Sequence, residues 1–170
     1  MDRQLTNLEL DTLLSDVTNH SLHLFTDTKY YFQDLYNTGM RSTEPLNINK
    51  WIVQDEKYIL TTHKTEAKRI FTKKELSRSL TYAIENRILP YGWLTYDQLT
   101  AEFKRVIRLA PIYSGERPAD TYLFRYNRAR QLFQASGNLL VVMDYFGWYS
   151  PTIASKYITT PLIYDPYRKL

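Results

Sequence analysis

The sequence predicts one domain, mainly α-helical, with a small antiparallel three-stranded sheet set between runs of helices. Three observations predict it. Apolar residues recur at helical spacing on both sides of residues 51–72. The stretch WIVQDEKYILTTHKTEAKRIFT breaks that spacing into three short runs rich in β-branched and aromatic residues. The chain has 170 residues, 44% hydrophobic and 24% charged, which suits a single well-filled core.

The elements follow in order. LTNLELDTLLSDV places Leu8, Leu10, Leu13, Leu14 and Val17 on one helical face, and Thr6 with Glu9 forms a capping box. HLFTDTKYYFQDLYNTG reads as a second helix, stopped by Asn37 and Gly39. A short helical turn follows at Thr43–Leu46. Trp51–Val53, Tyr58–Thr62 and Arg69–Thr72 read as strands, with turns at Asp55-Glu56 and His63–Ala67. TKKELSRSLTYAIENRI and TYDQLTAEFKRVIRLA return to helical spacing, separated by the loop LPYGW. After the loop APIYSGERPAD come TYLFRYNRARQLFQAS and NLLVVMDYF, two helices split at Ser136-Gly137. SPTIASKYI opens on a serine cap with proline at the first helical position. TTPLIYDPYRKL is a proline-broken tail. No internal repeat is present.

Bulk composition excludes several classes. No apolar run approaches the roughly 20 residues of a membrane span, so no membrane partner is expected. The polar, acidic start MDRQLTNLELD is not a secretory signal. With no cysteine the chain has no disulfide or thiol chemistry, which suits an intracellular setting, cytoplasmic or nucleoid-associated. His20, His23 and His63 are too scattered for a metal site, and no cofactor is expected. A net charge of +4 favours a polyanionic partner weakly.

Four segments carry chemistry. In NTGMRSTEPLNINKW, Arg41 follows the helix stop, with Glu44 three residues later; read alone they are a surface ion pair. TTHKTEAKRIF sets Lys64 at a hairpin turn. In ADTYLFRYNRAR, Arg125 lies among Tyr122, Leu123, Phe124 and Tyr126, where a buried charge needs a partner. DYFGWYSPTIASKYI holds Tyr145, Tyr149 and Tyr157.

Together these segments resemble the catalytic domain of tyrosine recombinases, the phage integrase family. TGMRSTE resembles the family's first arginine box, and Lys64 lies 23 residues beyond Arg41, as its hairpin lysine does. Tyr122-Leu-Phe-Arg125 matches its second box. Gly147-Trp148 matches the third, 23 residues after Arg125, and Tyr157 stands nine residues past Trp148. The resemblance covers Leu5 to about Thr160. It implies a catalytic domain over residues 1–160, no preceding core-binding domain, and a tail at 161–170 that docks in cis or trans.

The resemblance also implies roles. Tyr157 is the nucleophile that forms a 3′-phosphotyrosyl link. Arg41 and Arg125 hold the non-bridging oxygens, for which guanidinium is suited. Lys64 is the general acid for the departing 5′-oxygen; Lys68 and Arg69, in the same hairpin, compete for that role. Trp148 offers its indole N–H. Glu44 orients Arg41 from behind. Lys68, Arg69 and Arg128 are candidate DNA contacts. The expected partners are double-stranded DNA and, on DNA, further copies of a chain that is monomeric alone.

The match departs at Tyr122, where histidine is usual. A phenol donates a hydrogen bond but cannot replace imidazole as a neutral-pH base. The alternatives are a telomere resolvase, a type IB topoisomerase-like strand transferase, or a decayed DNA-binding accessory protein. Tyr145 is expected to pack a core, and Tyr149 has no assigned chemistry.

Overall fold

The computed structural model describes residues 3–4, 6, 8–9, 11–12, 15, 26–62, 66–107, 112–114, 117–118, 122–160 and 163–164. Residues 8–9, 11–12 and 15 are helical, and the Thr6/Glu9 capping box forms: Thr6 N–H donates to Glu9 Oε2 at 3.0 Å, and Glu9 N–H to Thr6 Oγ1 at 3.2 Å. The larger elements are α1 (Thr26–Thr38), β2 (Trp51–Gln54), β3 (Lys57–Thr61), β4 (Lys68–Phe71), α2 (Arg78–Asn86), α3 (Tyr96–Ile107), α4 (Tyr122–Ser136), α5 (Leu139–Phe146) and α6 (Pro151–Thr159). Helices thus flank the sheet on both sides in sequence, as expected.

The β2–β3–β4 sheet is antiparallel throughout. Gln54 pairs with Lys57 across a two-residue turn. Asp55 and Glu56 both take positive φ, 51° and 61°, the twist a tight hairpin turn requires. Strand alternation then sets the faces. Ile52, Ile59 and Ile70 line up across the sheet, while Trp51, Tyr58, Leu60, Arg69 and Phe71 are buried on the other side.

A second sheet was not legible in the sequence. β1 (Arg3–Gln4), β5 (Ile112–Ser114), β6 (Arg117–Pro118) and β7 (Ile163–Tyr164) form four strands in the order β1-β7-β5-β6. β5 and β6 fall in the segment read as a loop, and β7 in the tail. Two- and three-residue strands are too short to show a period of two. β7 pairs antiparallel with β1 and β5.

The main core gathers around α1, whose Tyr31, Phe32 and Leu35 are fully buried. Phe103 of α3 bridges Phe32 and Phe124 by edge-to-face contacts, each with centroids 5.2 Å apart. Fully buried Asp34 ties α1 to the start of α2. It accepts from Ser77 N–H and Oγ at 2.6 Å and from Tyr91 Oη at 2.7 Å. A smaller cluster of Ala129, Val142, Phe146, Trp148 and Ala154 joins α4, α5 and α6.

Candidate active site

The site begins where α1 stops. Gly39 takes φ +65°, and a Cβ there would stand 2.7 Å from Phe146, so the close turn requires glycine. The loop beyond is held from several directions. Thr38 Oγ1 accepts from Met40 N–H at 3.1 Å, and Tyr31 Oη donates to Ser42 O at 2.8 Å. Trp51 Nε1 donates to Glu44 O at 2.9 Å. Arg41 is half-buried, and its backbone N–H donates to Glu44 Oε1 at 2.6 Å.

Arg125 lies in the first turn of α4 and is 1% exposed. Its Nη1 donates to Gly39 O at 2.7 Å and stands 3.8 Å from Glu44 Oε1. Glu44 therefore pairs with Arg125 and reaches Arg41 through the main chain, which corrects the reading of Arg41 and Glu44 as a surface ion pair. The spacing of three residues brings Glu44 to the backbone turn, and burial then selects the buried cation as its partner. Glu44 Oε2 and Arg125 Nε are buried without hydrogen-bond partners among the described residues. Burial pushes the Arg125 guanidinium below its usual value; neighbouring Tyr157 holds it up, Arg41 pushes it down further, and Glu44 raises it. Glu44 and the Tyr157 ring thus both neighbour this guanidinium, and the loop that carries Arg41 reaches it through Gly39 O.

The aromatic side of the site comes from α5 and α6. Gly147 ends α5 at φ +71°, where a Cβ would meet Ala67 Cβ at 2.8 Å, so the glycine lets the β3–β4 connection approach Trp148. Phe146 stacks on Trp148 at 4.3 Å, and Trp148 on Tyr157 at 4.6 Å. Tyr157 also contacts Tyr126 at 4.7 Å. The Arg125 guanidinium carbon lies 5.1, 5.3 and 5.7 Å from the ring centroids of Phe146, Trp148 and Tyr157. On α4, Arg130 donates through Nη2 to Thr160 O at the end of α6. Tyr157 thus sits beside Arg125.

Other expected residues distribute differently. Tyr122 is 43% exposed at the start of α4. Lys64 lies outside the described residues; on either side of it, Thr62 N–H donates to Ala67 O at 2.8 Å. Lys68 is exposed. Arg128 is half-buried, with its guanidinium 5.2 Å from the Tyr145 ring. Arg69, expected to face DNA, is 2% exposed and donates to two backbone carbonyls; it shares the inward face of β4 with Phe71 and cannot serve as a surface contact. Tyr145 packs edge-to-face on Phe71 and Phe146, and Tyr149 is exposed. Sequence reasoning missed Phe146 as a site neighbour.

Neither a protein-family model nor a curated relative matches the sequence. Solved structures do. XerH site-specific recombinase, in a post-cleavage complex with palindromic difH substrate, shares 21% identity over 91% of this chain and 48% of its own, with a TM-score of 0.61. A lambda integrase dimer bound to a COC′ core site shares 16% identity over 98% of this chain and 61% of its own, with a TM-score of 0.65. The chain spans about half the length of the XerH chain and somewhat more of the integrase. With its helices flanking a three-stranded antiparallel sheet and its arginine-lined aromatic site, the chain has the fold of the catalytic domain of tyrosine recombinases.

Proposed function

We propose that this chain cuts and rejoins double-stranded DNA as the catalytic domain of a site-specific recombinase. The observation that carries the reading is the surroundings of Arg125: a buried guanidinium with Glu44 and the Tyr157 ring beside it, bonded to Gly39 O two residues before Arg41. A phosphodiester seated there would meet two cations and the phenol together. Tyr157 Oη attacks phosphorus, the bond to the 5′-oxygen breaks, and a 3′-phosphotyrosyl link forms. The phenol proton passes to water in this step, and Lys64 gives one to the leaving oxygen. Arg41, Arg125 and the Trp148 indole N–H stabilise the charge on the non-bridging oxygens. Reversal with a new 5′-hydroxyl rejoins the strand without ATP. The two guanidiniums supply the positive charge, so cleavage is expected to proceed in EDTA.

The same reading gives the partners as a duplex with inverted half-sites and further copies of the chain. Binding is expected to weaken steeply with salt, because phosphate contacts release counterions. The test uses duplexes selected by this chain from a randomised pool, then nicked near the selected site so that a cleaved strand is lost. A covalent protein–DNA adduct that disappears in Tyr157→Phe is the expected result. Tight, site-selective binding with no adduct would overturn the enzyme and favour a DNA-binding accessory protein. Tyr122 in place of histidine is the feature that keeps that second reading in view.

A further inference from the structure

A buried arginine is costly unless something satisfies it. Arg69 is 2% exposed, yet among the described residues no carboxylate bonds it. Its Nε donates to Tyr145 O at 2.8 Å and its Nη2 to Thr38 O at 2.7 Å. Its guanidinium carbon lies 4.8 to 4.9 Å from the ring centroids of Phe71, Tyr145 and Phe146. The two carbonyls belong to the last turns of α5 and α1, where unpaired carbonyls carry partial negative charge. A cation between two such ends is held by the helices themselves.

Both helix ends lead directly into the site. Thr38 precedes Gly39, whose carbonyl holds Arg125, and then Arg41. Tyr145 precedes Phe146, which stacks on Trp148. Arg69 itself sits on β4, the strand beyond the Thr62–Ala67 connection in which Lys64 lies. One side chain therefore joins the three segments that bear Arg41, Trp148 and Lys64. Its charge also reaches the site: burial lowers its pKa to about 10, Tyr145 raises it, Arg125 lowers it, and Glu44 raises it.

We propose that Arg69 is a positioning residue of the phosphate site, fastening β4 to the ends of α1 and α5 so that the arginine loop, the tryptophan and the hairpin hold one geometry. The inference rests on the cleavage reading above and assigns Arg69 no contact with DNA. Lysine cannot take the place. It offers a compact head instead of a planar fork, so it cannot donate to both carbonyls while lying flat among three rings.

The experiment uses Arg69→Met and Arg69→Lys in the full chain. Folding is followed by urea titration, duplex affinity in a Tyr157→Phe background, and adduct formation by single-turnover reaction on the nicked duplex. The expected result is a folded protein with unchanged affinity and an adduct rate lower by about 10²-fold, the scale on which small misplacements act. Both variants should behave alike. A wild-type rate in Arg69→Met would overturn the proposal. So would rate and affinity falling together in proportion to the folded fraction, because that marks a purely structural residue. If the wild type forms no adduct, the cleavage reading fails, and Arg69 is judged by the Trp148 indole N–H resonance and the amide protection of residues 41–44. A change in both in folded Arg69→Met supports positioning; an unchanged spectrum overturns it.

Discussion

Trp148 and Tyr157 stack with ring centroids 4.6 Å apart and 24° between their planes. The ring that would align the nucleophile therefore belongs to the residue whose indole N–H would bind the phosphate. Phenylalanine at 148 keeps a ring and removes the donor. Trp148→Phe should slow adduct formation by about 10²-fold, the usual cost of one lost oxyanion donor, with little loss of fold. Trp148→Ala should also destabilise by about 3–5 kcal/mol, since the side chain is buried. Parallel adduct kinetics and urea titrations separate the two effects.

Glu44 is a buried carboxylate 3.8 Å from Arg125, and its second oxygen has no hydrogen-bond partner among the described residues. Removing its charge leaves a buried guanidinium without its anion. Glu44→Gln should cost about 3–5 kcal/mol in urea titration, on the scale of broken buried pairs. A loss under about 1 kcal/mol would show that the ion pair contributes only at the level of an exposed one.

Gly147→Ala faces two penalties. The left-handed backbone costs about 1–2 kcal/mol for any residue with a Cβ. The new methyl also meets Ala67 at 2.8 Å. Gly137 provides the control, with φ +63° and nothing within 4 Å of an added Cβ. Gly137→Ala should therefore show the backbone penalty alone. Equal losses in the two variants would mean that the Ala67 contact relaxes freely.

Asp34 makes stability depend on pH. Burial raises its carboxyl to about 6, while the hydrogen bonds from Ser77 and Tyr91 lower it. Its protonated form is favoured in the folded state, so its contribution is fully present below the unfolded value of 3.8 and is lost as pH rises through about 6. Unfolding free energy should fall with pH across that window with a slope near one proton, and Asp34→Asn should flatten it. Melting scans at several pH values, wild type against variant, read the difference.

Much of this arrangement was legible because period and spacing are local. The β2–β4 sheet showed itself through short runs of β-branched and aromatic residues, with a turn at Asp55-Glu56. Tyr157 was singled out by its nine-residue distance from Trp148 in the resemblance. Arg69 was misread although strand alternation pointed inward: Phe71 belongs to the core, so the residue two before it does too. Its charge suggested a surface, but the acceptors that make burial tolerable are carbonyls of distant helix ends. No local pattern announces those, nor the pairing of Glu44 with an arginine far along the chain. The second sheet escaped for a simpler reason, since its strands are shorter than one full alternation.

That second sheet bears on how the molecule is handled. β7 begins three residues after Thr160, the residue that Arg130 holds at the end of α6, and it lies between β1 and β5. β7 follows closely in sequence on the helix that bears Tyr157, and β1, at the other end of the chain, pairs with β7, so polypeptide joined ahead of β1 or beyond β7 adjoins paired strands. Tension or crowding at either junction would be felt first at that helix. A purification tag fused at one end is thus a mechanical perturbation of the tyrosine, and its placement should be compared at both ends before any rate is interpreted.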